Sequence, residues 1–211
     1  MPRNIFTSKE NGWKFSNATL PVYRYKLPIF PFLKWGKAER GICGGMVFSA
    51  LDFYYADKKI PDIKQLEIGD SNLLFRYIIR RLFHSFQWKA VFLYYILQHP
   101  FSSPSFLNKN NRKQIEKIGH QLRNHQPVPV TLILIRSVNP DRLGENHQVL
   151  LTKILAEEDD KIILGLYDPN FPEKEREISI YFHTKKEPRI EMQGQKIWAI
   201  YSLKYKKRNP F

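Results

Sequence analysis

Residues 41–56 read GICGGMVFSALDFYYA, and this stretch predicts a helix that begins beside the only cysteine of the chain. After two glycines, apolar residues recur at three- and four-residue spacing, which places them along one helical face. This face consists of Met46, Val47, Ala50, Leu51 and Tyr54. We expect the helix to end near Ala56, because charged residues and then Pro61 follow it.

Cys43 stands at the start of this predicted helix, where free N–H groups and the positive end of the helix dipole stabilise a thiolate. Gly44 and Gly45 follow it directly, although a glycine inside a helix costs about 1 kcal/mol relative to alanine. We interpret the two glycines as positions that let a substrate backbone approach the sulfur. The alternative is a glycine turn beside a buried, unreactive thiol.

Further helical patterns fill the first half of the chain. A second helix is expected to start at Asp70 or Ser71, either of which can cap it, and a third spans roughly residues 89–98. A loop rich in Ser, Pro and Asn is expected at residues 100–111, before a polar amphipathic helix at residues 112–125.

The pattern changes at Pro127, where short apolar segments joined by turns replace the helical spacing. Such segments predict an antiparallel sheet or half-barrel. The predicted strands cover residues 128–136, 147–155, 161–167, 177–182 and 197–204. Helices first and strands second indicate an α+β fold, with a helical lobe at residues 41–126 packed on a β lobe at residues 127–205.

The beginning of the chain has a different character. Residues 1–20 are polar and are expected to be irregular, whereas residues 21–36 combine three prolines with aromatic residues and predict an extended segment. We therefore divide the chain into an N-terminal extension at residues 1–34, packed on the core, and a single domain at residues 35–211.

Composition narrows the functional classes. The 34 Lys and Arg residues against 20 Asp and Glu give a formal net charge of +14, spread along the chain. This charge suits an acidic protein or an anionic membrane surface as a partner, and the alternative is a basic solvated surface. One cysteine excludes an internal disulfide and a Cys-rich zinc site, and we expect neither a metal nor another cofactor.

Targeting signals are not visible in the sequence. The chain starts without an apolar secretory segment, and no run reaches 18 apolar residues. A cytoplasmic location is the default expectation, although export without a signal peptide would leave no trace in the sequence.

Two residues complete a candidate catalytic set with Cys43. A cysteine nucleophile needs a base, and His147 is the best placed of the six histidines, with His183 as the second choice. His147 begins one predicted strand, and Asp168, 21 positions later, ends the next. If these strands pair, both residues lie at one end of a hairpin, where the carboxylate can orient the imidazole. The alternative is a structural histidine and an Asp-Pro-Asn turn.

These residues resemble the papain-like cysteine peptidase superfamily, in particular bacterial peptidase C39-like and related cysteine hydrolases. GICGGM around Cys43 is similar to the nucleophile motif, NHQVLL around His147 to the histidine strand, and LYDPN around Asp168 to the third-residue motif. The resemblance covers about residues 35–205 and implies a papain-like fold with a Cys–His–Asp triad. Papain itself has Asn as the third residue, so Asn170 is the alternative to Asp168.

The sequence departs from this family at the oxyanion hole. Papain-like enzymes carry a Gln a few residues before the cysteine, whereas residues 35–40 read WGKAER. The backbone N–H of Cys43 can supply one donor, and Trp35, Lys37 or a main-chain N–H the second. Losing one donor typically costs about a hundred- to a thousandfold in rate. Gly44, Gly45 and Asn170 complete the expected oxyanion or substrate-groove residues.

Three functions are compatible with this pattern. The first is a cysteine hydrolase that cleaves a peptide or amide bond of a peptide or protein substrate through a thioester, and an acyltransferase or transglutaminase would use the same triad. The second is a weak or inactive papain-like binding module, which the missing Gln favours. The third is nucleic-acid binding through basic residues among aromatic rings, such as Arg76, Arg80, Arg81 and Lys89. We disfavour the third, because most of these rings fit a core better. The sequence leaves the oligomeric state open.

Overall fold

The structure is a computed structural model that describes residues 5–20, 41–182 and 188–210. Within these ranges the chain forms five α-helices and seven β-strands, so the predicted α+β class is confirmed. The helices are α1 (Ser8–Asn11), α2 (Cys43–Ala56), α3 (Leu73–Ser85), α4 (Trp88–Gln98) and α5 (Pro104–Arg123). The strands are β1 (Val128–Ile133), β2 (His147–Glu157), β3 (Lys161–Tyr167), β4 (Glu175–Tyr181), β5 (Arg189–Met192), β6 (Gln195–Ile197) and β7 (Ala199–Ser202).

The strands form one antiparallel half-barrel sheet in the order β6-β5-β4-β3-β2-β1-β7. On one face, side chains such as Leu150 and Tyr167 pack with α2, α3 and α4 in a hydrophobic core. On the other face, α5 contributes Ile115, Ile118 and Leu122 to a second core. The sheet therefore lies between two layers of helix, each buried against one of its faces.

α2 spans the residues predicted for it, from Cys43 to Ala56. Asp57 ends the helix in a left-handed conformation, and its N–H donates to the carbonyls of Phe53 and Tyr54. The predicted single apolar face is too narrow, because every residue from Cys43 to Phe53 is buried. A helix that is buried on all sides is a central element of the core.

Two helix starts differ from the predictions. α3 begins at Leu73, and its cap is Asn72, which accepts a hydrogen bond from the N–H of Phe75, so the predicted caps Asp70 and Ser71 are wrong. α5 begins at Pro104, inside the loop expected at residues 100–111. Proline is favoured in the first turn of a helix, and this position explains why it does not interrupt α5.

A buried asparagine, Asn111, explains why the first part of α5 was predicted to be a loop. Asn111 accepts a hydrogen bond from the N–H of Ile200 and donates one to the carbonyl of Trp198. A residue type that usually marks a turn therefore ties α5 to the sheet.

The end of the sheet also differs from the prediction. The strand expected at residues 197–204 is divided between β6 and β7, which separate at Trp198, and β5 was not predicted. β5 is four residues long and alternates polar and apolar side chains (RIEM), a pattern too short to identify from sequence alone.

The described part of the N-terminal segment is not irregular, which corrects the expectation for residues 1–20. It contains α1 and a 3₁₀ helix at Asn17–Thr19. Phe6, Trp13 and Phe15 are buried in the core beside α2, and the Trp13 indole N–H donates to Ser49 Oγ at 2.9 Å. The sequence surrounds these rings with polar residues, which hid their role.

Several predicted features lie outside the described residues. They are the extended segment at residues 21–36, the oxyanion candidates Trp35 and Lys37, and the alternative base His183. Among the helices that are described, none is both long and apolar enough to cross a bilayer.

Candidate active site

Cys43 is the first residue of α2, at the helix end where backbone N–H groups lack partners within the helix. Ile42, the residue before it, has an apolar side chain and cannot cap these groups. The Cys43 side chain is mostly buried, with 8% of the residue exposed. The positive end of the α2 dipole therefore lies at a thiol in a sheltered position.

The β2–β3 hairpin brings His147 and Asp168 together, as strand counting predicts. His147 begins β2, and Asp168 follows directly after Tyr167, which lies opposite Leu150 in the hairpin. His147 Nε2 is 2.7 Å from Asp168 Oδ1, a short hydrogen bond between two buried groups. This contact fixes the ring orientation and directs Nε2 toward the carboxylate.

Cys43 acts on His147 as a hydrogen-bond partner and by charge, and both interactions raise the pKa of the imidazole. Because Nε2 faces Asp168, Nδ1 is the ring nitrogen left for the thiol. In the sequence this approach of α2 to the hairpin depended on the family resemblance alone, whereas the structure provides it directly.

The protonation of His147 follows from these neighbours. Burial acts to lower the pKa of His147, but hydrogen bonds to Asp168 and Cys43, with attraction to their charges, outweigh burial and raise it. For Asp168, burial acts to raise the pKa, while His147, the Asn170 N–H and the Arg176 charge together lower it. The charged forms of both residues are therefore favoured, and the sulfur faces a cationic ring.

Arg176 on β4 is a site residue that the sequence did not reveal. Its Nε lies 3.9 Å from Asp168 Oδ2, and neither atom has a hydrogen-bond partner in the described part of the chain. The guanidinium carbon lies 3.8 Å from the centroid of the Phe171 ring, which holds the side chain in place. Arg176 pairs with Leu166 in the sheet, a proximity that no sequence spacing predicts.

Asn170 lies at the site but is not the main partner of the histidine. Its backbone N–H donates to Asp168 Oδ1 at 2.9 Å, and its Nδ2 is 3.4 Å from His147 Nε2. The Asp168 contact is much shorter, so Asp168 and not Asn170 occupies the orienting position. Asn17, also missed in the sequence, donates from Nδ2 to Asn170 Oδ1 at 2.9 Å.

Close packing is enough to explain why positions 44 and 45 are glycines. From the sequence, we interpreted Gly44 and Gly45 as positions that let a substrate approach the sulfur. A Cβ at Gly44 would overlap Gln148 Oε1 and Ser85 Oγ, and one at Gly45 would overlap the Ile78 carbonyl oxygen. The glycines let α2 approach β2 and α3 closely. A role for them beside a substrate stays a prediction.

Comparisons with models of protein families, with curated proteins and with solved structures found no match. Among the residues that the structure describes, no group of three or more His, Cys, Asp or Glu side chains could hold a metal ion. The assembled groups are a thiol, an imidazole and a carboxylate, which together suit nucleophilic attack on a carbonyl.

Two residues of the basic and aromatic group considered for nucleic-acid binding, Arg81 and Phe75, are buried and not at the surface. Arg81 is buried, its Nε lies 2.6 Å from Asp52 Oδ2, and Phe75 belongs to the hydrophobic core. Arg81 is therefore unable to contact a phosphate backbone in this fold.

Proposed function

We propose that this chain is a papain-like cysteine hydrolase that cleaves a peptide or amide bond. The observation that carries the proposal is the order of contacts from Cys43 at the start of α2, to His147, to the buried Asp168. A nucleophile, a base and an orienting carboxylate in hydrogen-bond sequence are the features of a covalent acyl-transfer site.

Each group has one task in the proposed reaction. His147 Nδ1 holds the proton of Cys43 in the resting pair, and the thiolate attacks the substrate carbonyl carbon. As the C–N bond breaks, His147 returns the proton to the leaving amine, and a thioester to Cys43 remains. Water then attacks the thioester while His147 takes one of its protons, and the acid product leaves as the thiol is restored. Asp168 holds the ring and stabilises its cationic form.

Acyl transfer and binding without catalysis are the two alternatives. An acyltransferase would use the same steps with an amine in place of water. A non-catalytic module is favoured by one observation, the lack of a Gln in the WGKAER stretch before Cys43. The intact contacts among Cys43, His147 and Asp168 favour catalysis over this second reading.

Alkylation of Cys43 by iodoacetamide tests the proposal, because the chain has no other cysteine. A thiol of ordinary pKa, about 8.5, loses about two-hundredfold in thiolate between pH 9 and pH 6. We expect the folded chain to lose less than about tenfold, because the cationic His147 stabilises the thiolate at pH 6. His147→Ala and the urea-unfolded chain should show the ordinary loss. A folded wild type that loses as much as the unfolded chain contradicts an activated nucleophile.

A second measurement separates the alternatives. Peptide mixtures incubated with the wild type and with Cys43→Ala, and compared by mass spectrometry, should yield cleavage products only with the wild type. Adding hydroxylamine should divert products to hydroxamates if a thioester forms. An alkylation profile of an activated thiol without any product would favour the binding module.

A further inference from the structure

Asn17 connects the two parts of the chain that carry the candidate catalytic groups. It lies in the 3₁₀ helix near the N-terminus and is 1% exposed. The N–H of Ile42 donates to Asn17 Oδ1 at 3.1 Å, and Asn17 Nδ2 donates to Asn170 Oδ1 at 2.9 Å. The backbone N–H of Asn17 also donates to the carbonyl of Pro169 at 2.9 Å. One side chain thus contacts both the residue before Cys43 and the loop after Asp168.

The hydrogen bonds determine how both amides are oriented. The Ile42 backbone offers a donor at this point, so the Asn17 oxygen must face it and the Asn17 nitrogen must face Asn170. Asn170 then has to present its oxygen to Asn17, which leaves its own Nδ2 3.4 Å from His147 Nε2. A chain of hydrogen bonds therefore runs from the start of α2 through Asn17 to Asn170, whose backbone N–H donates to Asp168 Oδ1.

The segment that carries Asn17 is itself held firmly. The Trp13 backbone N–H donates to the Tyr167 hydroxyl, and the Ser16 hydroxyl donates to the Asn170 carbonyl at 2.8 Å. Asn17 is consequently presented to Ile42 and Asn170 by a supported backbone, and the geometry it imposes is specific.

We propose that Asn17 is a positioning residue that sets the approach of Cys43 to His147 by joining Ile42 to Asn170. The inference rests on the proposed function, because it concerns the reactivity of the same thiol. Asn17 touches neither reacting group and acts through the peptide before Cys43 and through Asn170, whose N–H binds the carboxylate that holds the ring. The charged or titratable groups that otherwise face the pair in the described residues are Asp168, with Arg176 behind it, and Tyr167.

The test compares Asn17→Ala with Thr19→Ala in the full chain, by alkylation at pH 6 and pH 9. Thr19→Ala removes an exposed hydrogen bond within the same 3₁₀ helix, from the Thr19 hydroxyl to the Ser16 carbonyl, and leaves the contacts of Asn17 to Ile42 and Asn170 intact. We expect Asn17→Ala to lower the rate at pH 6 about tenfold, the equivalent of one pKa unit, with little change at pH 9. Thr19→Ala should stay within about twofold of the wild type at both pH values.

The outcomes separate this inference from the proposed function. A wild type with an activated thiol and an Asn17→Ala profile equal to that of Thr19→Ala would overturn the positioning role and leave the hydrolase proposal standing. A wild type without an activated thiol would overturn both. Should Asn17→Ala fail to fold, Asn17→Asp has the same shape and keeps the acceptor for Ile42 but loses the donor to Asn170. Its rate at pH 6 must also fall below that of Thr19→Ala, and an unchanged profile overturns the inference.

Discussion

Asp168 is held by different contacts at its two carboxylate oxygens. Oδ1 accepts from His147 and from the N–H of Asn170, while Oδ2 faces the guanidinium of Arg176. Arg176 is 11% exposed at its side chain, so water screens this pair only weakly. Arg176 thus supplies a charge that keeps the orienting residue in its anionic form.

Replacing Arg176 should make the fold more sensitive to acid. The pKa of Asp168 is lower in the folded chain than in the unfolded chain, where it is about 3.9. Its carboxylate therefore stabilises the fold above the unfolded pKa, and this stabilisation is lost as the pH falls through the folded pKa. Arg176→Met raises the folded pKa, so we expect the acid-unfolding midpoint to move to higher pH and stability at pH 7 to fall by about 2 kcal/mol.

Circular dichroism against pH, with urea unfolding at pH 7, measures both effects. Arg189→Met is the matched control, because Arg189 pairs with Glu191 at an exposed position on β5. Exposed pairs contribute about 0 to 1 kcal/mol, so this control should leave the acid midpoint in place. Equal acid-unfolding midpoints for the two variants would contradict a role of Arg176 in stabilising the Asp168 carboxylate.

Single residues also show what the sequence could predict of the site. The proximity of His147 and Asp168 could be predicted by counting residues along the two strands, because one short turn joins these strands. Asn17 reaches the site from a segment far away in the chain, whereas Arg176 is near Asp168 in the chain and reaches it through the pairing of β3 with β4. A polar N-terminal segment and an ordinary strand arginine carry no spacing signal, so their roles appear only once the chain is folded.

At the scale of whole elements, α2 is constrained most by its contact with α3. The two helices approach so closely at Gly45 that a side chain there would overlap the backbone carbonyl of Ile78. Backbone atoms cannot rotate away, so any added atom has to separate the helices. The start of α2, and with it the position of Cys43, therefore depends on this contact.

Gly45→Ala should destabilise the chain, although alanine favours a helix more than glycine does. Overpacking costs about 1 to 3 kcal/mol and outweighs the helix-propensity gain of about 1 kcal/mol, so we expect a net loss in urea unfolding. Gly144→Ala is the control, since a Cβ there meets nothing within 4 Å. It should change stability by less than about 0.5 kcal/mol. A Gly45→Ala chain as stable as this control would contradict the close packing.

The elements that were predicted well are those with a long periodic pattern or a clear boundary. α2 and β3 have the predicted limits, because a helical spacing and an acidic turn define them. The start of α5 and the strand β5 were missed, because Asn111 makes its hydrogen bonds to a distant strand and β5 is held by its neighbours. These elements form because of tertiary contacts, and the conformational preferences of the local sequence do not reveal such contacts.

Across the whole molecule, a buried carboxylate is among the groups that tie the described C-terminal segment to the helices. Asp52 on α2 is fully buried and accepts from the hydroxyls of Tyr77 and Tyr205, each at 2.7 Å. The N–H of Arg208 also donates to it at 2.8 Å, and Arg81 on α3 neutralises its charge. Burial and the bonds to Asp52 raise the pKa of both tyrosines. α2 therefore carries Cys43 at its first position and, through Asp52 nearer its other end, binds the described C-terminal segment.

Removing the charge of Asp52 should loosen this anchor and destabilise the whole chain. Asp52→Asn keeps the size of the side chain but leaves Arg81 as a buried cation without its ion pair, so we expect a loss of about 3 to 5 kcal/mol in urea unfolding. The double variant Asp52→Asn with Arg81→Met removes the lone cation and should recover part of this loss. Hydrogen exchange should accelerate around Tyr205 and Arg208 in the single variant before the sheet exchanges. An Asp52→Asn chain of wild-type stability, with unchanged exchange at those residues, would show that the carboxylate does not anchor the terminus.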